Sequence, residues 1–284
     1  CLCVTRTYTI KMFDKVTTSL RILAAAGVEE AASGHPGMPL GMADVGTVLY
    51  KKFLKVSNEN PSWINRDRFI LSPGHGSMLL YSLLHLNGFD LTKEDLKNFR
   101  QFDSKTPGHP EFDLSTGIDM TTGPLGQGFS TGVGFAVAER YLSELLGEDI
   151  IDHFTYGIVS DGDLMEGISF EAAELAAVWK LGKLIYVFDN NNISIDGRVS
   201  KVSITDQKKK FEAIGWHVLE IDAHSEDEIS TALEDAKLII DKPSIIMAKS
   251  IIGKFAPNKQ DTSGIHGSPL GAEEMEEFKK NLKW

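Results

Sequence analysis

The second half of the chain alternates short apolar runs with helical patterns, and this alternation restricts the fold more than any other feature. Tyr156–Ser160, Leu184–Asp189, Trp216–Ile221 and Ser244–Lys249 have strand length and are rich in aliphatic and aromatic residues. A helical stretch, Ser169–Leu181, separates the first two and stops at Gly182. The capping box Ser225-Glu226-Asp227-Glu228 opens another helix, which runs to about Ile240. Strands apolar on both faces, joined through helices, predict an α/β fold: a parallel sheet with helices on both faces. Upstream, Phe13, Val16, Leu20, Leu23, Ala24 and Val28 recur at helical spacing and predict a helix near 12–32. Arg68–Ser72 reads as a further buried strand broken by Pro73-Gly74, and Ser77–Leu86 as a helix. Residues 103–124 are rich in turn formers and read as a long loop, of the kind that is functional or disordered. Residues 271–283 form a last helix, with glutamates first and lysines last to match its dipole. No repeat or linker divides residues 12–284, which read as one domain. Residues 1–11 precede Met12 and read as an extension or leader outside the fold.

Composition removes several classes of partner. Among 284 residues, 29 Lys and Arg face 40 Asp and Glu, a net charge of −11. Nucleic acids and anionic membranes need clustered cations, and the basic run Lys208–Lys210 is short and lacks interleaved aromatics. No apolar stretch approaches the roughly 20 residues that span a bilayer. The two cysteines, Cys1 and Cys3, sit together at one end and cannot staple a fold. A cysteine-poor body fits a reducing compartment, so the cytoplasm is expected. Asn192-Ile193-Ser194 matches a glycosylation sequon by chance on this reading.

The chemistry concentrates at two strand ends. Ser160-Asp161-Gly162-Asp163 follows one strand, and Asp189-Asn190-Asn191-Asn192-Ile193 ends the next. In a right-handed strand–helix–strand unit both ends emerge at the carboxyl edge of one sheet. A carboxylate and an amide oxygen meeting there suit a hard cation such as Mg²⁺, which takes oxygen ligands. One carboxylate leaves Mg²⁺ short of negative charge, so a diphosphate ligand is expected to complete the site. Gly162 and Gly167 let backbone approach such a ligand. Either half alone is ordinary turn chemistry. A phosphoaspartate pattern also fits Asp161 and Asp163, except that Met165 holds the Thr/Val position. Asp161 is expected at an exposed strand end.

Histidines supply an independent clue. His35, His75, His109 and His266 each adjoin Gly or Pro in loops, whereas His85, His153, His217 and His224 read as core residues. Loop histidines on glycine-flanked backbone favour a ligand-facing role. Gly123-Pro124-Leu125-Gly126-Gln127-Gly128 opens a helix to about Leu146, with Pro124 in its first turn. Its Gly126, Gly128, Gly132, Gly134, Ala136 and Ala138 leave a nearly bare face for close packing. A dinucleotide fingerprint is disfavoured there, because Thr131 stands where a third glycine belongs and no strand precedes it.

The segments SGHPGMPLGMAD (33–44), RDRFILSPGHGSMLLYSLLH (66–85), FRQFDSKTPGHPEF (99–112), TTGPLGQG (121–128) and SGIHGSPLG (263–271) resemble transketolases, in the same order from about Asp14 to Trp284. The DGD and NNN halves resemble the thiamine-diphosphate fingerprint. This resemblance implies thiamine diphosphate and Mg²⁺, or Ca²⁺ or Mn²⁺, as cofactors, with metal ligation by Asp161, Asn191 and the backbone carbonyl of Ile193. It places Gly123, Pro124, Leu125, Gly162 and Glu166 at the cofactor, and His75 and His266 near its diphosphate and reaction centre. His35 and His109, with His266 as a further catalytic residue, are implied to meet sugar phosphate substrates. The family usually has Gly at position 160 and Asp at 190. The implied activity is transfer of a two-carbon ketol unit between ketose and aldose phosphates. A pyrimidine-binding domain or chain is implied as partner, in a homodimer, and these 284 residues alone are expected to lack activity. A dihydroxyacetone or deoxyxylulose-phosphate type synthase, and a non-catalytic cofactor-binding subunit, are the alternatives.

Overall fold

A computed structural model describes residues 2–284, with side chains from Phe13 onward. The strands are β1 (Arg68–Leu71), β2 (Thr155–Ser160), β3 (Leu184–Asn190), β4 (Ile193–Ser194), β5 (Gly197–Arg198), β6 (His217–Asp222) and β7 (Ser244–Lys249). The helices are α1 (Leu2–Glu30), α2 (Gly37–Gly41), α3 (Ala43–Val48), α4 (Ser77–Leu86), α5 (Lys93–Lys97), α6 (Gln127–Leu146), α7 (Asp161–Met165), α8 (Gly167–Val178), α9 (Gln207–Ala213), α10 (Glu226–Leu238) and α11 (Ala272–Asn281). Five strands form one parallel sheet in the order β1-β2-β3-β7-β6. The short β4–β5 hairpin stands apart.

Both sheet faces are covered, which explains why the strands read as apolar runs rather than alternations. One core joins Ile158, Ile185, Val187 and Ile246 to α1, α3, α4 and α10. The opposite core joins Val159, Tyr186, Phe188 and Met247 to α6, α8 and α9. A third cluster packs Met275 and Phe278 of α11 against Ile22 and Ala25 of α1 and Ile193 beside the sheet edge.

Several expectations need correction. Helix α1 runs from Leu2, not from near residue 12; the side chains of residues 1–12, and with them the extension expected at 1–11, lie outside the described residues. Helix α6 begins at Gln127, so Pro124 precedes its first turn, and left-handed Gly126 (φ 80°) caps it. The small-residue face of α6 is also divided. Gly128 and Gly132 press on the sheet side, whereas nothing lies within 4 Å of a Cβ at Gly134. A Cβ at Gly132 would fall 2.0 Å from Tyr186 Oη, which donates to the Phe129 carbonyl at 2.5 Å. Gly132→Ala is therefore expected to destabilise the chain by about 1–3 kcal/mol through overpacking. Urea denaturation reads this directly, and an unshifted midpoint would refute the tight contact.

Candidate active site

Ser160 pairs with Asp189 in the β2–β3 register, so the ends of these strands are neighbours at the carboxyl edge. The expectation of an exposed Asp161 is overturned: only 8% of the residue is accessible. The cause is α7, which folds residues 161–165 over the strand end. Ser160 and Asp163 form the reciprocal capping box of that helix. Asp163 also accepts from Ser72 Oγ at 2.7 Å and from the Gly126 N–H at 2.9 Å. It is a buried strut tying the loops after β1 and before α6 to α7.

Asp161 Oδ2 is buried with no hydrogen-bond partner. Burial, with the Asp189 carboxylate nearby, pushes the Asp161 pKa up to about 7. The amide of Asn191 is fixed on both sides: Nδ2 donates to Asp189 Oδ2 at 2.9 Å, and Oδ1 accepts the Ile193 N–H at 2.8 Å. An amide oxygen has a second lone pair, so Oδ1 keeps one acceptor site beside the orphaned carboxylate oxygen. Asp189 is buried and also accepts from Ser250 Oγ; burial raises its pKa to about 6. An unpartnered carboxylate oxygen, an oriented amide oxygen and nearby backbone carbonyls fit a hard oxygen-loving cation. Among the described residues no three His, Cys, Asp or Glu side chains converge as a ready metal cage. A Cβ at Gly162 would lie 2.9 Å from Leu125, so the glycine permits this close approach of the two loops.

Three of the four loop histidines meet ring to ring. His35 lies 5.0 Å from His75 and 5.6 Å from His266, and the latter two are 5.1 Å apart. Burial, reinforced by neighbouring histidines, lowers the pKa of His35 to about 4 and of His75 to about 3. Burial lowers His266 and His109 as well, with Arg100 adding to the effect on His109. All four are thus neutral donors and acceptors near pH 7. A cavity of about 310 Å³ joins this cluster, His109 included, to Gly123, Leu125, Asp161, Gly162, Asn191 and Ile193. That volume is in the range of small-molecule sites. Pro124 and Glu166 do not line it; both are exposed, and Glu166 caps the N-terminus of α8.

Sequence reasoning missed Asp189, Ser250 and Arg100, and Met38 and Ile252, which add apolar walls to the cavity. Of the other four histidines, His85, His217 and His224 make structural hydrogen bonds, while His153 is buried with Nδ1 unpartnered. His224, for example, contacts Asp44 at 3.0 Å through Nδ1 and accepts the Ile251 N–H through Nε2, bracing the segment that carries Ile252.

Known proteins share this fold. The family described as transketolase, thiamine diphosphate binding domain, matches residues 13–284. Transketolase 1 of Escherichia coli K12 is 52% identical over 274 residues, covering 95% of this chain and 41% of that protein. A Bacillus subtilis transketolase is 51% identical with the same coverage. The crystal structure of Campylobacter jejuni transketolase matches with a TM-score of 0.94 and 48% identity, over 96% of this chain and 43% of that one. A Pichia stipitis transketolase solved with sedoheptulose-7-phosphate matches at 0.93 and 42% identity, over 96% and 41%. The parallel sheet and its edge site thus define a thiamine-diphosphate-binding domain. The chain spans about two fifths of the length of the curated relatives it matches. It belongs to the transketolase family, to the part described as the thiamine diphosphate binding domain.

Proposed function

We propose that this chain supplies the diphosphate-binding half of a transketolase, moving a two-carbon ketol unit from a ketose phosphate to an aldose phosphate. The observation that carries the reading is the orphaned, buried Asp161 oxygen facing one cavity with Asn191 and the histidine cluster. Asp161, Asn191 Oδ1 and the Ile193 carbonyl would hold Mg²⁺, with Ca²⁺ or Mn²⁺ as substitutes, and the cation would hold the diphosphate. Gly123, Leu125 and Gly162 would border the cofactor from the cavity wall, whereas Pro124 and Glu166, exposed and outside that wall, would reach it only from its outer side. When bound, thiamine diphosphate supplies a nucleophilic ring carbon and a cationic ring that accepts the electron pair. Neutral His75 and His266 would keep water from the buried end and donate toward developing negative charge. His35 and His109 would meet the sugar oxygens, moving or holding protons as hydroxyl and carbonyl exchange.

Exposed apolar side chains on α6 and α8, among them Tyr141, Leu145, Val178 and Trp179, offer a surface for a pyrimidine-binding domain or a second subunit in a homodimer. No helix among the described residues is long and apolar enough to cross a membrane, and a cytoplasmic location is proposed. The test is a donor–acceptor assay of the complete enzyme with xylulose 5-phosphate and ribose 5-phosphate. His35→Ala and His109→Ala are each expected to cut kcat/KM by about 10²-fold or more, with cofactor affinity hardly moved. Normal sugar kinetics with a large loss of cofactor affinity would reverse these roles.

A further inference from the structure

Arg100 is built into the loop before the long active-site segment with unusual care. Its backbone is left-handed, with φ 62°, a conformation that costs a bulky residue energy and persists only where its surroundings enforce it. The backbone N–H is tied to the Thr106 carbonyl at 2.9 Å. Nη1 donates to Ser33 Oγ at 2.8 Å, and Nη2 lies 3.4 Å from His35 Nδ1. Nε is buried without a partner. The Phe99 ring lies 5.5 Å from the guanidinium carbon, and Gly108 closes from another side, where a Cβ would fall 2.9 Å from Nε. Desolvation lowers the Arg100 pKa, and among the described residues no carboxylate offsets it. A guanidinium sandwiched this way is held for what it points at.

What it points at is one specific nitrogen. A guanidinium only donates, so Nδ1 of His35 accepts and carries no proton. The single proton of the neutral ring then sits on Nε2, because the bond made by one ring nitrogen sets the state of the other. Nε2 makes no protein hydrogen bond among the described residues. It faces Gly267, where a Cβ would intrude to 3.1 Å. The other groups facing this ring are His75, His266 and His109, and burial together with His266 and His109 favours the neutral form.

We propose that Arg100 is a positioning residue that locks His35 as the neutral Nε2–H tautomer, so that His35 meets a sugar oxygen as a hydrogen-bond donor rather than as a base. The identity of that oxygen rests on the ketol-transfer reading; the tautomer does not. In the 284-residue chain labelled with ¹⁵N-histidine, long-range ¹H–¹⁵N spectra report each ring's tautomer, and His35→Gln assigns the signal. Wild type is expected to show His35 as Nε2–H from pH 6 to 8. Arg100→Met is expected to shift the tautomer ratio by about tenfold toward Nδ1–H, the scale of one charge-assisted hydrogen bond. Arg100→Lys, which still donates, should restore most of the Nε2–H form. An Nδ1–H ring in wild type, or an unchanged ratio in Arg100→Met, overturns the proposal. If circular dichroism shows that Arg100→Met does not fold, Ser33→Ala takes its place: it frees the guanidinium from one anchor and is expected to raise the Nδ1–H fraction, and no change there overturns the proposal equally. Failure of the ketol-transfer assay would leave these spectra untouched, so the two readings fail separately.

Discussion

Asp161→Asn is expected to abolish cation-dependent binding of thiamine diphosphate and, at the same time, to stabilise the metal-free chain at pH 8. Both effects come from one feature, a buried carboxylate oxygen with no partner. The folded chain holds its proton up to about pH 7, against an ordinary 3.8. The folded state therefore binds this proton more tightly than the unfolded one. Stability contributed by the protonated acid is fully present below about pH 4 and is lost as pH rises through about 7. At pH 8 the ionised, unpaired group strains the fold by about 4 kcal/mol, which a neutral amide of the same shape removes. Urea denaturation with chelator present, run at pH 5 and pH 8, should show the substitution more stabilising at the higher pH, by about 2–3 kcal/mol. His75 acts in the opposite sense, since its pKa falls to about 3 and its contribution is lost as pH drops below about 6.5. Comparison of wild type with variant at each pH cancels that background. Calorimetry supplies the second arm: Asp161→Asn should show no Mg²⁺-dependent cofactor binding. Asn191→Ala should weaken binding less, because it removes a neutral oxygen and leaves the charge. Cofactor affinity in Asp161→Asn equal to wild type, with and without chelator, would sink the assignment. A variant less stable than wild type at pH 8 would mean that Asp161 has a partner the geometry does not reveal.

The contrast between Asp161 and its neighbours shows what the sequence could and could not convey. The sheet was legible because its strands are buried on both faces, and burial alone writes an uninterrupted apolar run such as Leu184–Phe188. Ser244–Lys249 and Ser77–Leu86 match their sequence-derived bounds for the same reason. The short helices α5, α7 and α9, of five to seven residues, escaped, because one or two turns carry too few positions for a period to emerge. For α5 the cue was present in the Thr92–Asp95 capping box, and for α7 in Ser160–Asp163. Reading the second would have turned Asp161 from a strand-end residue into the buried first residue of a helix. The site was legible as residue types at strand ends and in glycine-flanked loops. Its second layer was not. Asp189 gains its role from Ser250, 61 positions away, and Arg100 from His35, 65 positions away. No local pattern encodes such pairs, and they exist only once the sheet has brought the loops together.

These 284 residues, expressed and assayed by themselves, are expected to bind Mg²⁺ and thiamine diphosphate weakly and to catalyse ketol transfer only near background. The sheet has its own cores on both faces, so folding by itself does not require another domain. Catalysis is a different matter. The cavity offers carboxylate and amide oxygens at the strand ends together with neutral histidines, yet among the residues lining it the only carboxylates are Asp161 and Asp189. A cofactor held by its diphosphate alone would leave its pyrimidine without an acid partner and its reacting ring without a fixed orientation. Orientation and positioned proton transfer each contribute orders of magnitude in rate, so losing both removes most of the acceleration while leaving affinity partly intact. The same geometry predicts self-association. Val178 is 73% exposed and Tyr141 66%, and with Trp179 they line one shallow surface depression away from the site cavity; large apolar side chains grouped at a surface favour association. Light scattering should therefore show dimers or larger species, and charged substitutions at Val178 and Tyr141 should disperse them without altering cofactor binding at the strand ends. A coupled assay with saturating cofactor, Mg²⁺, xylulose 5-phosphate and ribose 5-phosphate measures the rate. Robust turnover by these residues alone would show that the edge site is a complete catalyst, with an acid for the pyrimidine supplied from within the chain. Activity that appears only on mixing with a separately expressed pyrimidine-binding domain would place that acid on the partner.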